Sequence, residues 1–188
     1  MKRPAALLPI VLALGAIILA PVAGAQAENS REEGPTEIEK CRTIDKPGSY
    51  KLVNNLTATA GGDCLNITAS FVTIDLAGFS ISGPSSNPAG TAITAGTHTT
   101  DIAVRNGSIS FFSSGVSLGG DGSIVEGLRV SGFGVVTADV AISANGIVKG
   151  NTVFAFAGGG PPANGVGISA TGVVTGNLVD GARHGGMQ

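Results

Sequence analysis

Short runs of alternating apolar and polar residues recur along residues 63–181. In the clearest run, Val72-Thr-Ile-Asp-Leu76, every second residue is aliphatic, which predicts a strand with one buried face. Related runs follow four more times, and their aliphatic residues align in three columns. The columns are Ile67, Ile93, Leu118, Ile142 and Ile168; Ile74, Val104, Val125, Val148 and Val174; and Ile81, Ile109, Val130, Val153 and Val179.

The first column repeats at intervals of 24 to 26 residues. A fixed period built from short β-branched strands is typical of a solenoid, in which a coil buries its apolar face only when neighbouring coils stack on it. The 30 glycines of the chain supply the turns between the strands. We therefore predict an all-β fold, a right-handed parallel β-helix (β-solenoid) of about five to six coils. It is expected to form one domain at residues 41–188, with an N-terminal cap and no evident C-terminal cap.

Residues 1–27 have the pattern of a secretory signal peptide. Lys2 and Arg3 precede an apolar run from Ala5 to Ala20, and the segment ends in the small residues Val22-Ala-Gly-Ala-Gln-Ala27. The apolar run is shorter than the roughly 20 residues that cross a bilayer, so cleavage is favoured over a membrane anchor. We expect a secreted protein, extracellular or periplasmic, with no stable membrane span after signal cleavage.

Residues 28–40 differ in composition from the repeats. They contain five glutamates together with Gly34 and Pro35, and have almost no apolar residue. Such a segment buries too little surface to offset its ordering entropy, which predicts a flexible acidic leader. Loss of Lys2 and Arg3 with the signal peptide takes the net charge from −2 to about −4, so nucleic acid is not an expected partner.

Cys41 and Cys64 are the two cysteines of the chain. An even number of cysteines after a signal peptide predicts a disulfide. Closing this loop would stabilise the fold by about 3 kcal/mol through the lost entropy of the unfolded chain. The bridge is expected to hold a capping strand, Pro47–Val53, on the first full coil.

The run Cys64–Gly83 is similar to the opening coil of secreted bacterial right-handed parallel β-helix repeat proteins of the pectin-lyase-like superfamily. The preceding Cys41–Leu56 segment, with its Pro-Gly-Ser-Tyr-Lys-Leu, resembles their N-terminal segment. The resemblance implies the solenoid fold. It leaves the activity open, because that superfamily includes lyases, hydrolases, esterases and adhesins.

The sequence lacks the catalytic motifs of pectin-degrading hydrolases of that superfamily, which are Asn-Thr-Asp, Asp-Asp, Gly-His-Gly and Arg-Ile-Lys. Arg183-His-Gly-Gly186 is the nearest approach to the histidine motif. A calcium-dependent lyase would need acidic residues stacked in one column, with a base nearby. The candidates do not align in this way: Asp75, Asp101, Asp121 and Asp139. We predict no catalytic residue, no metal ligand and no cofactor site.

Charged residues of alternating sign follow the second aliphatic column directly: Asp75, Arg105, Glu126 and Lys149. Neighbours of this kind on an outer face would form a cross-strand charge ladder that fixes register and keeps the face soluble. The alternative interpretation is a polar groove for an acidic sugar or a cation.

Aromatic residues and asparagines also recur with the period. Phe112, Phe133 and Phe156 each follow the third column by three residues, which predicts an interior or corner stack. A sugar-binding platform usually presents Trp or Tyr, and the chain has no Trp and one Tyr. Three asparagines, Asn106, Asn151 and Asn177, are expected at turns, where they can cap the backbone or form a short ladder.

Full repeats without a reactive set favour a secreted non-catalytic β-helix that acts as a surface, matrix or glycan-binding module. The alternative is a protein like a polysaccharide lyase or glycoside hydrolase, possibly truncated, that acts on acidic polysaccharide. A third hypothesis is a relic without activity. Polysaccharide or cell-surface glycan is the expected partner, and residues 181–188 carry no evident cap, which allows self-association through the last coil.

Overall fold

The computed structural model describes residues 34–59, 62–84, 90–132, 140–154 and 166–180. The predicted signal peptide and residues 181–188 lie outside the described residues. Within those ranges the chain forms β-strands and no helix, and every strand pair is parallel. The strands are β1 (Thr36–Ile38), β2 (Arg42–Ile44), β3 (Gly48–Leu52), β4 (Leu56–Thr57), β5 (Leu65–Ile67), β6 (Val72–Asp75), β7 (Ser80–Ser82), β8 (Thr91–Ala95), β9 (Ile102–Ser110), β10 (Ser114–Ser131), β11 (Val140–Lys149), β12 (Thr152–Phe154), β13 (Val166–Thr175) and β14 (Leu178–Asp180).

Three faces, each a stack of parallel strand segments, make up the solenoid. The longer strands, such as β10, continue through a corner and contribute to two faces. Face A contains β2, β5, β8 and residues 114–118, 140–144 and 166–170. Face B contains β1, β3, β6 and residues 102–105, 123–126, 146–149 and 172–175. Face C contains β4, β7, residues 107–110 and 128–131, β12 and β14. This arrangement confirms the predicted all-β parallel solenoid.

The second and third aliphatic columns are confirmed residue by residue. Ile74 pairs with Val104, and the pairing continues to Val174 through each residue of the second column. Ile81 likewise begins an unbroken column that ends at Val179. The members of both columns up to the last coil are fully buried, so like residues stack on like and fill the interior.

The first column is wrong in register at two of its five positions. Ile93 pairs with Leu65 and Val116, which are two residues before the predicted partners Ile67 and Leu118. Ile67 and Leu118 pair instead with Ala95, in a second buried column of face A. The side-chain period of a strand is two, so a shift of two residues leaves every apolar side chain on the same face. The hydrophobic pattern therefore cannot distinguish the two registers.

The N-terminal boundary also needs correction. Strand β1 pairs with β3, and Ile38 is fully buried against the core. The solenoid therefore includes part of the predicted flexible leader, and the prediction is wrong for residues 36–38. Thr36-Glu-Ile38 contains a single apolar residue, so its pattern gives no periodic signal.

The predicted disulfide is confirmed. Cys41 and Cys64 are bonded, with their Cα atoms 4.4 Å apart and a sequence separation of 23. Each cysteine lies directly before a face A strand, and Arg42 N donates to Cys64 O at 2.8 Å. The bridge therefore joins adjacent strands β2 and β5 at the first rung of face A.

We expect Cys41→Ala together with Cys64→Ala to lower the free energy of unfolding by about 3 kcal/mol, because the unfolded chain regains the entropy of the closed loop. Urea denaturation of the variant and of the wild type, each with and without reductant, measures the difference. Reduced wild type should match the variant. An unfolding midpoint of the wild type that does not respond to reductant would contradict the expectation.

Aromatic side chains occupy both the interior and the surface. Phe112 is fully buried and has the largest side chain among the fully buried residues. The predicted stack with Phe133 and Phe156 lies outside the described residues. Phe71 and Phe111 are 64% and 39% exposed, and each has a positive φ at a turn. The buried Phe112 is thus flanked in sequence by the exposed Phe111.

Candidate functional site

The solvent-facing side of face B carries a column of charged residues whose sign alternates from coil to coil. Asp75 pairs in register with Arg105, Arg105 with Glu126, and Glu126 with Lys149. The column extends further toward the N-terminus than the four predicted residues, because Lys51 pairs with Asp75 and Glu37 with Lys51. Those two residues precede the first full repeat, so the aliphatic period gave no register for them.

Within this column, two ion pairs form, and each joins two consecutive coils. Arg105 Nε lies 3.3 Å from Asp75 Oδ2, and Lys149 Nζ lies 2.8 Å from Glu126 Oε2. Asp75 Oδ1 also accepts a 2.8 Å hydrogen bond from the backbone N–H of Ala77. These side chains are partly exposed, so each pair contributes about 0–1 kcal/mol. Their charges compensate one another, which leaves little net charge on this face for a ligand.

A shallow depression of about 530 Å³ adjoins the charged column at the corner between faces B and C. Three of its lining residues are glycines with φ near +62°, a conformation that other residues rarely adopt. The glycines are Gly127, Gly150 and Gly176, and the other lining residues are Asn106, Glu126, Lys149 and Thr175. Glu126 and Lys149 form an ion pair with each other, so these two residues offer no unpaired charge to a ligand, and most of the remaining lining surface is apolar.

The solvent-facing side of face A carries an uninterrupted column of hydroxyl and amide side chains. Consecutive members are paired in register on adjacent strands, and each is exposed or half-buried. Strand spacing of about 4.8 Å gives the five steps a length of about 24 Å. The members of this face A column are Thr43, Asn66, Thr94, Ser117, Ser143 and Ser169.

The two-residue register shift in the first aliphatic column explains why the face A column is not apparent in the sequence. With Leu118 aligned to Ile93, the residue that follows Thr94 in the column would be Gly119, and the polar pattern is broken. With Val116 aligned to Ile93, as in the structure, Ser117 follows Thr94 and the column is continuous. The signal was therefore present, but only in the correct register.

The acidic residues considered as calcium ligands are distributed over two places. Asp75 lies on face B, whereas Asp101 and Asp121 lie on consecutive coils at the corner between faces A and B, where Asp101 N donates to Asp121 O at 3.0 Å. Asp139 lies outside the described residues. Across the described ranges, no group of three or more His, Cys, Asp or Glu side chains is placed to hold a metal ion.

The fold and these surfaces define the chain as a parallel β-solenoid with polar outer columns. No protein-family model matches the chain, and no curated protein or solved structure matches it either. In the part of the chain that the structure describes, no helix is long and apolar enough to cross a membrane.

Proposed function

We propose that this protein is a secreted, non-catalytic β-solenoid that binds an extended glycan along the face A column. The observation that carries the proposal is the continuity of that column over six stacked strands. A polymer of repeating sugars presents hydroxyl groups at regular intervals, and a stacked array of hydroxyl and amide groups can donate to them and accept from them. The resemblance to the secreted pectin-lyase-like superfamily supports the same class of ligand.

The energetics favour a long ligand over a single sugar. Each hydrogen bond to a neutral hydroxyl adds only about 0.5–1.5 kcal/mol, so one sugar unit would bind weakly. Repeated contacts on one polymer add up, because the later contacts form within the same complex. The side chains are held on a stacked sheet, which reduces the ordering that binding requires.

Two ion-paired carboxylates on face B support binding over cleavage. Glycoside hydrolysis uses a pair of carboxyl groups that flank the scissile bond, one of them free to protonate the leaving group. Here Asp75 and Glu126 are each ion-paired with a neighbouring cation. The disulfide at Cys41 and Cys64 is in keeping with an oxidising compartment outside the cytoplasm, which is where such glycans occur.

Affinity electrophoresis tests the proposal. The purified protein is run through native gels that contain acidic or neutral polysaccharides, with and without calcium, and the gels are stained for intact polymer. We expect retardation in at least one polysaccharide gel and no cleared zone. A cleared zone would identify a lyase or hydrolase instead, and unretarded migration in every gel would contradict glycan binding.

A further inference from the structure

We propose that the N-terminal end of the face A column is a binding site for an anionic sugar unit, in which Lys40 and Arg42 bind the acidic group. The site rests on the proposed glycan-binding function and specifies the class of glycan. It lies beside the disulfide, away from the charged column of face B.

A concavity of about 460 Å³ opens at this end of the solenoid. Thr43 and Asn66, the first two members of the face A column, line it, so the concavity and the column form one continuous polar surface. The other lining residues are Lys40, Cys41, Arg42, Thr57, Thr59, Asp63 and Cys64. Apart from the cysteines, all of these side chains are exposed.

The two cations of the concavity are available for a ligand. In the described part of the chain, ion pairs join Asp75 to Arg105 and Glu126 to Lys149, and none involves Lys40 or Arg42. Arg42 Nε donates to Thr43 O at 3.3 Å, which orients the guanidinium and leaves its terminal N–H groups for a ligand.

One carboxylate also lines the concavity. Asp63 Oδ1 accepts a 2.7 Å hydrogen bond from the backbone N–H of Thr91, so this oxygen is already occupied. Its Oδ2 can accept from a sugar hydroxyl. Two cations against one carboxylate give the site a local positive charge, although the whole chain has a formal net charge of −2.

This combination fits a sugar that carries a carboxylate or a sulfate. The Arg42 guanidinium can bind a planar carboxylate or a tetrahedral sulfate through two paired N–H groups. The ammonium of Lys40 adds a second charge-assisted hydrogen bond. The threonine hydroxyls, Asn66 and Asp63 match the hydroxyl groups of the same sugar.

The disulfide fixes the backbone that carries the two cations. Lys40 and Arg42 are the immediate sequence neighbours of Cys41, whose bond to Cys64 joins β2 to β5. The backbone of both cationic residues is therefore fixed relative to Asn66 on the next strand. A site held in this way loses less conformational entropy when it binds.

Calorimetric titration of the full protein tests the site, with alginate oligosaccharide as the carboxylate probe, dextran sulfate as the sulfate probe and dextran as the neutral probe. Lys40→Ala with Arg42→Ala should weaken binding of the anionic probe at least tenfold. The matched control, Lys46→Ala with Lys51→Ala, removes two exposed cations elsewhere and should change affinity less than twofold. Denaturation curves check that both double variants are folded.

The outcomes separate this inference from the proposed function. A loss confined to alginate assigns a carboxylate ligand, and a loss confined to dextran sulfate assigns a sulfate ligand. Anionic binding that is unchanged in the Lys40/Arg42 variant, or equally weakened in the control, would overturn the site and leave the proposed function standing. If the wild type binds dextran but neither anionic probe, the anionic site is likewise overturned and the proposed function stands. If the wild type binds none of the probes, the anionic site and the proposed function are both overturned.

Discussion

Phe112→Ala is expected to lower the free energy of unfolding by about 3–5 kcal/mol, the usual range for a buried Phe-to-Ala substitution. Phe112 is fully buried at the corner between faces C and A. A Cβ atom added to Gly83 would lie 3.4 Å from the Phe112 ring, so the backbone of the preceding coil packs close to that ring. Stacked strands that are hydrogen-bonded on both sides have little freedom to collapse into the cavity. Urea denaturation followed by far-ultraviolet circular dichroism measures the change.

Phe111→Ala is the matched control for that substitution. Phe111 is the immediate neighbour and is 39% exposed, so its truncation removes much less buried surface. We expect an effect well below that of Phe112→Ala. Equal effects of the two substitutions would show that Phe112 is not the interior residue of this corner.

Asn151→Ala is expected to lower the free energy of unfolding by about 4 kcal/mol, because two backbone groups lose their partner at about 1–3 kcal/mol each. Asn151 is 1% exposed in the turn between β11 and β12. Its Oδ1 accepts from Leu128 N at 2.9 Å, and its Nδ2 donates to Val125 O at 3.0 Å. The side chain therefore supplies, at the turn, the hydrogen bonds that a strand would supply.

Asn177 repeats this arrangement one coil later. Its Oδ1 accepts from Asn151 N at 2.8 Å, and its Nδ2 donates to Val148 O at 2.8 Å. Asn66→Ala is the control for Asn151→Ala, because Asn66 is exposed on the outer face. The control should change stability by less than 0.5 kcal/mol. A small effect of Asn151→Ala, close to that of the control, would contradict the role of this ladder.

The asparagine ladder was predicted correctly from the sequence at two of its three expected positions. Asn106, Asn151 and Asn177 were expected at turns as caps or a short ladder, and Asn151 and Asn177 form that ladder. Asn106 does not, because it has a positive φ and its Nδ2 points to Asp75 at 3.4 Å. The turns of the later coils contain a glycine before the asparagine, and the glycine adopts the positive φ in its place. The spacing of the asparagines alone did not distinguish the positive-φ position of Asn106 from the capping position of Asn151 and Asn177.

The sequence predicted the solenoid well because its evidence was repeated in every coil. Two of three aliphatic columns and the disulfide follow from period and cysteine count. The face A column did not, because a two-residue shift leaves the hydrophobic pattern unchanged. The concavity beside Cys41 was also missed, since Lys40 fell in a segment whose composition indicated a flexible leader. Binding surfaces of this kind depend on register between coils, which a strand pattern does not encode.

The most direct test of the face A column compares two bulky substitutions at half-buried serines of the outer surface. Ser143→Trp places a large side chain in the middle of the face A column, and Ser108→Trp places one on face C. Both variants should fold, because aromatic residues are favoured on strand surfaces. If the column binds the glycan, affinity electrophoresis should show retardation lost in Ser143→Trp and retained in Ser108→Trp. Equal retardation of the two variants would contradict binding on face A.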